Sequence, residues 1–156
     1  MDGVDRKLVE ALRDNARASY AELGRRVGLS GPSVAERINR LEGSGIITGY
    51  HAAVPPAALG LHVTALVGIR VSDSSDHDDV AARLRGLEEI EDCWYVAGEE
   101  DFVIKVRVAD VAALAHTAGR LARLKGVARA RSSVVLSTRW EDRPVRIAPD
   151  GPRAGE

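Results

Sequence analysis

The sequence predicts an α+β protein in two parts, a winged helix-turn-helix domain followed by a ferredoxin-like βαββαβ domain. Three observations carry this. Apolar residues recur at helical spacing from Val4 to Leu41. Gly28-Leu29-Ser30 separates two short helical stripes, as a helix-turn-helix junction requires. Beyond Pro55-Pro56 the apolar period shortens to two, in segments broken by two helical stretches.

Val4, Leu8, Val9 and Leu12 form the apolar face of a first helix ending near Asn15. Tyr20, Leu23 and Val27 form a second stripe that Gly28 stops. Ser30 is a suitable N-cap for a third helix, and Pro32 is tolerated in its first turn. Val34, Ile38 and Leu41 give that helix its buried face, and Gly43-Ser44-Gly45 ends it. Residues 46–54 read as extended, the wing. Residues 63–71, 90–97, 101–108 and 127–140 read as strands, and 76–87 and 111–124 as helices. The expected boundaries are a helix-turn-helix domain at 1–50, a linker at 51–61, a second domain at 62–143 and a disordered tail at 144–156.

Strand-helix-strand-strand-helix-strand order gives an antiparallel sheet with both helices on one face. Val67, Ile69, Ile104, Val106, Val134 and Leu136 exceed what two short helices can cover. They are expected on the helix-free face, where a second copy of the chain would bury them.

Composition narrows the function classes. Aromatic residues are only 4%, so aliphatic side chains must build both cores. No apolar run is long enough to span a bilayer. Cys93 is the single cysteine, which excludes an intrachain disulfide and a cysteine-based zinc site. With no signal-peptide core at the start, a cytoplasmic protein is expected. Net charge is −1, so the chain is no polycation. The charge is nevertheless segregated. Five Arg against two Glu leave +3 over 17–40, and eleven carboxylates against two Arg leave −9 over 72–101. Eight cations against two carboxylates leave +6 over 120–146. That pattern permits a small basic head rather than a basic coat.

If Val34, Ile38 and Leu41 face inward, Ser33, Glu36, Arg37 and Arg40 face outward. The second helix of such a hairpin enters the major groove of DNA by its N-terminal residues. Ser33 and Arg37 are then candidates for base contacts. Arg40 and either Arg25 or Arg26 suit the phosphates, and Ser30 and Glu36 complete the candidate DNA-binding set. Spacing alone also admits a plain three-helix packing unit with solvated arginines. Gly24 falls where the two helices cross, a position that needs a small residue.

The order Asp2-x-x-Asp5-x-x-Leu8-x-x-Ala11-Leu12, Glu22-Leu23-Gly24-x-x-Val27-Gly28-Leu29-Ser30, Val34-x-x-Arg37-Ile38-x-x-Leu41-Glu42-x-x-Gly45-Ile46-Ile47-x-Gly49-Tyr50 resembles the Lrp/AsnC (feast/famine) regulators. Gly98-x-x-Asp101-Phe102 before an alternating strand resembles the same family's second, RAM/ACT-like domain. The resemblance covers roughly residues 2–141. It implies a transcription regulator that binds double-stranded DNA and responds to an amino acid or related small molecule. It also implies dimers through the second domain, assembled further into tetramers or octamers.

The residues themselves make 98–101 a plain hairpin turn with a surface carboxylate. The resemblance instead makes Ala97, Gly98, Glu99, Glu100 and Asp101 part of an effector site, with Asp101 accepting from an ammonium group. Ser132 and Ser133, early in the last strand, match positions where family members often carry hydroxyl groups; simple strand residues remain the equal alternative. Glu100 departs from the family, which commonly has an aromatic residue there.

No cofactor and no metal is expected. Asp73, Asp76, His77, Asp78 and Asp79 could suggest a metal site, but carboxylates suit a helix N-terminus without an ion. Cys93, beside Trp94 in a strand, reads as core rather than nucleophile. No acid, base or nucleophile constellation supports an enzyme. A ligand-binding subunit whose first domain makes only protein contacts is the other class, and the outward Ser33, Arg37 and Arg40 weigh against it.

Overall fold

The computed structural model describes residues 1–143 and Val145. Contacts divide them into two units: Met1–Ala53 with the described residues from Trp140 on, and Val54–Arg139. The tail expected at 144–156 lies outside the described residues, except for Val145.

Side-chain caps set the helices of the first unit. Helix α1 (Gly3–Asp14) opens on a capping box, in which Asp5 N donates to Asp2 Oδ1 at 2.8 Å and Asp2 N to Asp5 Oδ2 at 3.2 Å. Helix α2 (Tyr20–Val27) opens on the box of Ser19 and Glu22 and ends at Gly28, whose φ of 74° suits glycine. Helix α3 (Gly31–Gly43) has Ser30 as N-cap and Pro32 in its first turn. Leu8, Leu23, Val34 and Ile38 are buried together as the core of the three helices.

The segment after α3 corrects the expected wing. Among the described residues, 46–54 pair with no strand. The amides of Ile46 and Ile47 instead fold back onto Leu41 O, at 2.9 and 3.1 Å. They satisfy carbonyl groups that the end of α3 leaves open and are lost to any ladder. The Tyr50 hydroxyl donates to Glu42 Oε1 at 2.8 Å, holding the segment to the helix.

The second unit begins with a short 3-10 turn (Pro56–Leu59). It then runs β1 (Val63–Val71), α4 (His77–Arg85), β2 (Ile90–Tyr95), β3 (Phe102–Val108), α5 (Val111–Ala122) and β4 (Val127–Val134). The sheet order is β2-β3-β1-β4, antiparallel throughout, with Val67 opposite both Ile104 and Ser132. Asp76 caps α4 by accepting from Asp78 N and Asp79 N, so that carboxylate is occupied as a cap.

Both helices pack on one face of this sheet, as expected, but the assignment of faces is reversed. Val67, Ile69, Ile104 and Val106 are fully buried in one cluster with Val80, Leu84, Leu114 and Leu121 of the two helices. Side chains alternate along a strand, so the helix-free face carries Thr64, Leu66, Gly68 and Arg70 of β1 and Val103, Lys105 and Arg107 of β3. Arg129, Arg131 and Ser133 of β4 share that face. Val134 opposes Ala65 on the helix side but remains half exposed at the edge, and Leu136, 96% exposed, lies beyond the strand.

Two strands are shorter than expected. β4 stops at Val134 because β1 begins at Val63; Val135 N still reaches Thr64 O at 2.9 Å, and no further backbone pairing follows among the described residues. β2 stops at Tyr95 because Val96 N closes the loop onto Asp101 O at 2.9 Å. Cys93 is exposed rather than core, since β2 is an edge strand. Partial burial still pushes its thiol pKa up.

Candidate functional site

In the first unit, the outward surface of α3 is partly tied down. Arg37 Nη1 donates to Asp2 Oδ2 and to Asp5 Oδ1, both at 2.7 Å. Arg40 Nη2 donates to both Asp5 oxygens, at 3.2 and 3.1 Å. Asp5 is buried, so two guanidinium groups from α3 compensate a carboxylate on α1. The carboxyl of Asp2 is brought down to about 2 by the Asp5 amide and then by Arg37. Burial pushes the Asp5 carboxyl up, yet the bonds from Arg37 and from the Asp2 amide bring it below its usual value. The same contacts raise Arg37.

The residues expected to contact DNA therefore differ in availability. Arg37 is turned to α1 with its side chain 27% exposed, whereas Arg40 keeps 62% of its side chain exposed. The Ser30 and Ser33 hydroxyls bond each other at 2.9 Å, and Ser33 N donates to Ser30 Oγ at 3.4 Å. Glu36, Arg25 and Arg26 are exposed. Nothing in helical spacing showed that Asp2 and Asp5 would reach α3. The clue was the pair of carboxylates in a first turn, with two arginines three apart on another helix.

In the second unit, residues 97–101 form a loop drawn against the helix-free face. Asp101 N donates to Ile69 O at 2.9 Å, and Asp101 Oδ2 accepts from Val71 N at 2.7 Å. Arg70 Nε and His77 Nε2 stand 3.7 and 3.5 Å from the same carboxylate. The Val71 amide, against the opposing effect of burial, holds the Asp101 carboxyl below its usual range, with His77 and Arg70 adding to it. Asp101 is thus first an anchor for the loop.

Glu99 O accepts from Arg70 Nη1 at 2.7 Å. Its carboxylate accepts from Arg129 at 3.0 Å and Arg131 at 3.3 Å, which lowers its pKa. Glu100 accepts from Arg131 at 2.9 Å through Oε1, while its Oε2 is buried with no hydrogen-bond partner among the described residues. Ala97 and Gly98 are exposed. Ser132 and Ser133 are exposed near the end of β4, not its start, and on opposite faces of the sheet. Only Ser133 shares the loop's face. The loop's partners Gly68, Arg70, Arg129 and Arg131 were missed. Strand alternation, with three arginines at same-face positions, was the available signal.

Comparison with known proteins accounts for both units. An AsnC-type helix-turn-helix domain matches residues 1–42, and an Lrp/AsnC ligand binding domain matches residues 64–145. The chain is 43% identical over 143 residues to the transcriptional regulator LrpA of Mycobacterium tuberculosis, covering 92% of this chain and 95% of that protein. It is 35% identical over 116 residues to the regulatory protein AsnC of Escherichia coli, covering 74% and 76%. Among solved structures, a feast or famine regulatory protein from M. tuberculosis complexed with L-methionine superimposes with a TM-score of 0.88 at 42% identity, covering 94% of this chain and 99% of that one. Helix-turn-helix head, loop-bearing α+β domain and these relatives agree: the chain belongs to the Lrp/AsnC family of DNA-binding transcription regulators.

Proposed function

We propose that this regulator binds double-stranded DNA through α2 and α3, and that an amino acid or related small molecule bound at the 97–101 loop modulates it. The observation that carries the effector reading is the anchored loop. Asp101 fixes it to the end of β1, and Glu99 and Glu100 are drawn over Arg129 and Arg131. A loop held this way has a defined shape to offer a ligand and charged contacts that a ligand can exchange. The complex of a 42%-identical relative with L-methionine supports an amino acid as the ligand class. An ammonium group would meet Asp101 or Glu100, and Ser133 would add a hydroxyl.

Arg25, Arg26 and Arg40 are positioned for phosphates, with Ser30 and Ser33 at the helix N-terminus beside them. Arg37 serves chiefly to hold α3 to α1. Self-association would use the helix-free sheet face, where Leu66 and Trp94 are 41% and 47% exposed. A dimer presents two heads to a pseudo-palindromic site. Domain limits at 1–50 and 62–143, and a cytoplasmic location, fit this role.

A thermal-shift screen of the amino acids against the full chain tests the effector reading, because a ligand that binds only the folded state raises its Tm. Any hit is then titrated into a gel-shift assay on the chain's own upstream region. If no amino acid changes either the Tm or the DNA affinity, the effector reading fails.

A further inference from the structure

The exposed stripe of α3 is built from four residues. At 100° per residue, Pro32, Glu36, Asn39 and Gly43 fall within about a 60° arc, opposite the buried Val34, Ile38 and Leu41. All four are exposed. Two of them can hydrogen-bond through a side chain, and neither the Glu36 nor the Asn39 side chain has a hydrogen bond or ion pair to another described residue. The other polar groups near this face are engaged. Arg37 is held by Asp2 and Asp5, Arg40 by Asp5, and the Ser30 and Ser33 hydroxyls by each other. A residue added at Gly43 would meet nothing within 4 Å, so the far end of the stripe is open.

We infer that Glu36 and Asn39 are the sequence-reading pair of α3, with Asn39 directed at an adenine and Glu36 at a cytosine. The inference rests on the DNA-binding reading above. Asparagine presents a donor and an acceptor side by side, which matches N6 and N7 of adenine in the major groove. A carboxylate only accepts, and in that groove the N4 amino group of cytosine is the donor it fits. Residues three apart on a helix lie about 5–6 Å from each other. Stacked bases rise about 3.4 Å per step, so the pair reaches adjacent or next-adjacent base pairs. Pro32, ahead of them, adds an apolar surface suited to a thymine methyl. Arg40, flanking the stripe and 62% exposed on its side chain, faces the backbone rather than the bases.

The test selects bound duplexes from a randomised pool with the full-length protein, then repeats the selection with Asn39→Arg, Asn39→Ala and Glu36→Gln. Both side chains are exposed, so the melting temperatures of the variants should match wild type. Asn39→Ala should cut discrimination at one position about tenfold. Asn39→Arg should move that same position from adenine to guanine, and Glu36→Gln should move another, one or two base pairs away, from cytosine to adenine. A residue that merely stabilised the head would not exchange one base for another. Unchanged base preferences in Asn39→Arg and Glu36→Gln, with binding retained, overturn the assignment and leave DNA binding intact. Failure of wild type to bind any duplex overturns both.

Discussion

Glu100 folds directly over Gly68: a Cβ on Gly68 would lie 2.8 Å from Glu100 Cγ and 3.2 Å from its Oε1. The strand residue without a side chain is what lets the loop carboxylate lie on the sheet and reach Arg131. Gly68→Ala should therefore expel the Glu100 side chain while leaving the ladder intact. The displaced group is the end of a flexible side chain, so the cost should be about 1 kcal/mol, at the low end for overpacking. In the Glu100→Ala background the same substitution should cost nothing. Denaturant unfolding of the two single variants and the double variant measures this coupling, and additive effects would show that the contact has no energetic weight.

Arg37→Ala should destabilise the first unit by about 1–3 kcal/mol, because the buried Asp5 loses one of its two guanidinium partners. Circular dichroism melting of the full chain measures it. The loss should appear in stability rather than as a relaxed base preference at a single position.

Acid should reveal the same cluster. The Asp2 and Asp5 carboxyls are both depressed in the folded chain, Asp2 to about 2 from an ordinary 3.8. Their contribution is fully present above the unfolded value and is lost as pH falls through the folded value. Stability should thus decline from about pH 4 towards about pH 2. Arg37→Ala should flatten that decline, since it removes a cause of both depressions. An acid profile identical to wild type would contradict the assignment.

Gly24→Ala should be more damaging than any surface change in the head. Its Cβ would collide with the backbone carbonyl of Leu29, which cannot swing aside as a side chain does. The turn between α2 and α3 would have to shift, at a cost of about 3 kcal/mol. A Tm within 2–4 °C of wild type, the shift that about 1 kcal/mol would give, would refute it.

Gly24 also shows what was legible in the sequence. The α2–turn–α3 junction is written locally: Gly28 takes the left-handed backbone, Ser30 caps, and the stripes of Leu23, Val34 and Ile38 meet beneath. The order of the second unit is equally local, since apolar runs mark the strands and each helix begins at an aspartate cap. Which side of the sheet the helices cover is not local. Alternation in Phe102–Val108 defines two faces, and both carry apolar residues: Ile104 and Val106 on one, Val103 on the other. Only α4 and α5 decide between them. The contacts of Arg37 were not legible for the same reason, because its partners lie on α1, over thirty positions away in the chain. The end of β4 depends on its register against β1, whose start at Val63 was legible but whose pairing with residues 127–134 was not.

Asp101 has two separable roles, and two variants distinguish them. As an anchor it accepts from Val71 N at 2.7 Å, so Asp101→Ala should cost about 1–2 kcal/mol by leaving that amide without its acceptor. Asp101→Asn keeps an oxygen for the amide and removes only the charge facing Arg70 and His77. It should hold the loop and stay closer to wild type in Tm. If the carboxylate also meets the ammonium group of an effector, Asp101→Asn should still weaken that ligand about tenfold, the equivalent of 1.4 kcal/mol. Because the carboxyl is depressed in the folded chain, the anchoring contribution is complete above its ordinary value and falls only in more acidic solution. Titration of the ligand found by thermal screening should therefore separate the two variants from wild type at neutral pH. Wild-type affinity in Asp101→Asn would leave Asp101 as an anchor alone and move ligand recognition to Glu99, Glu100 or the exposed backbone of Ala97 and Gly98.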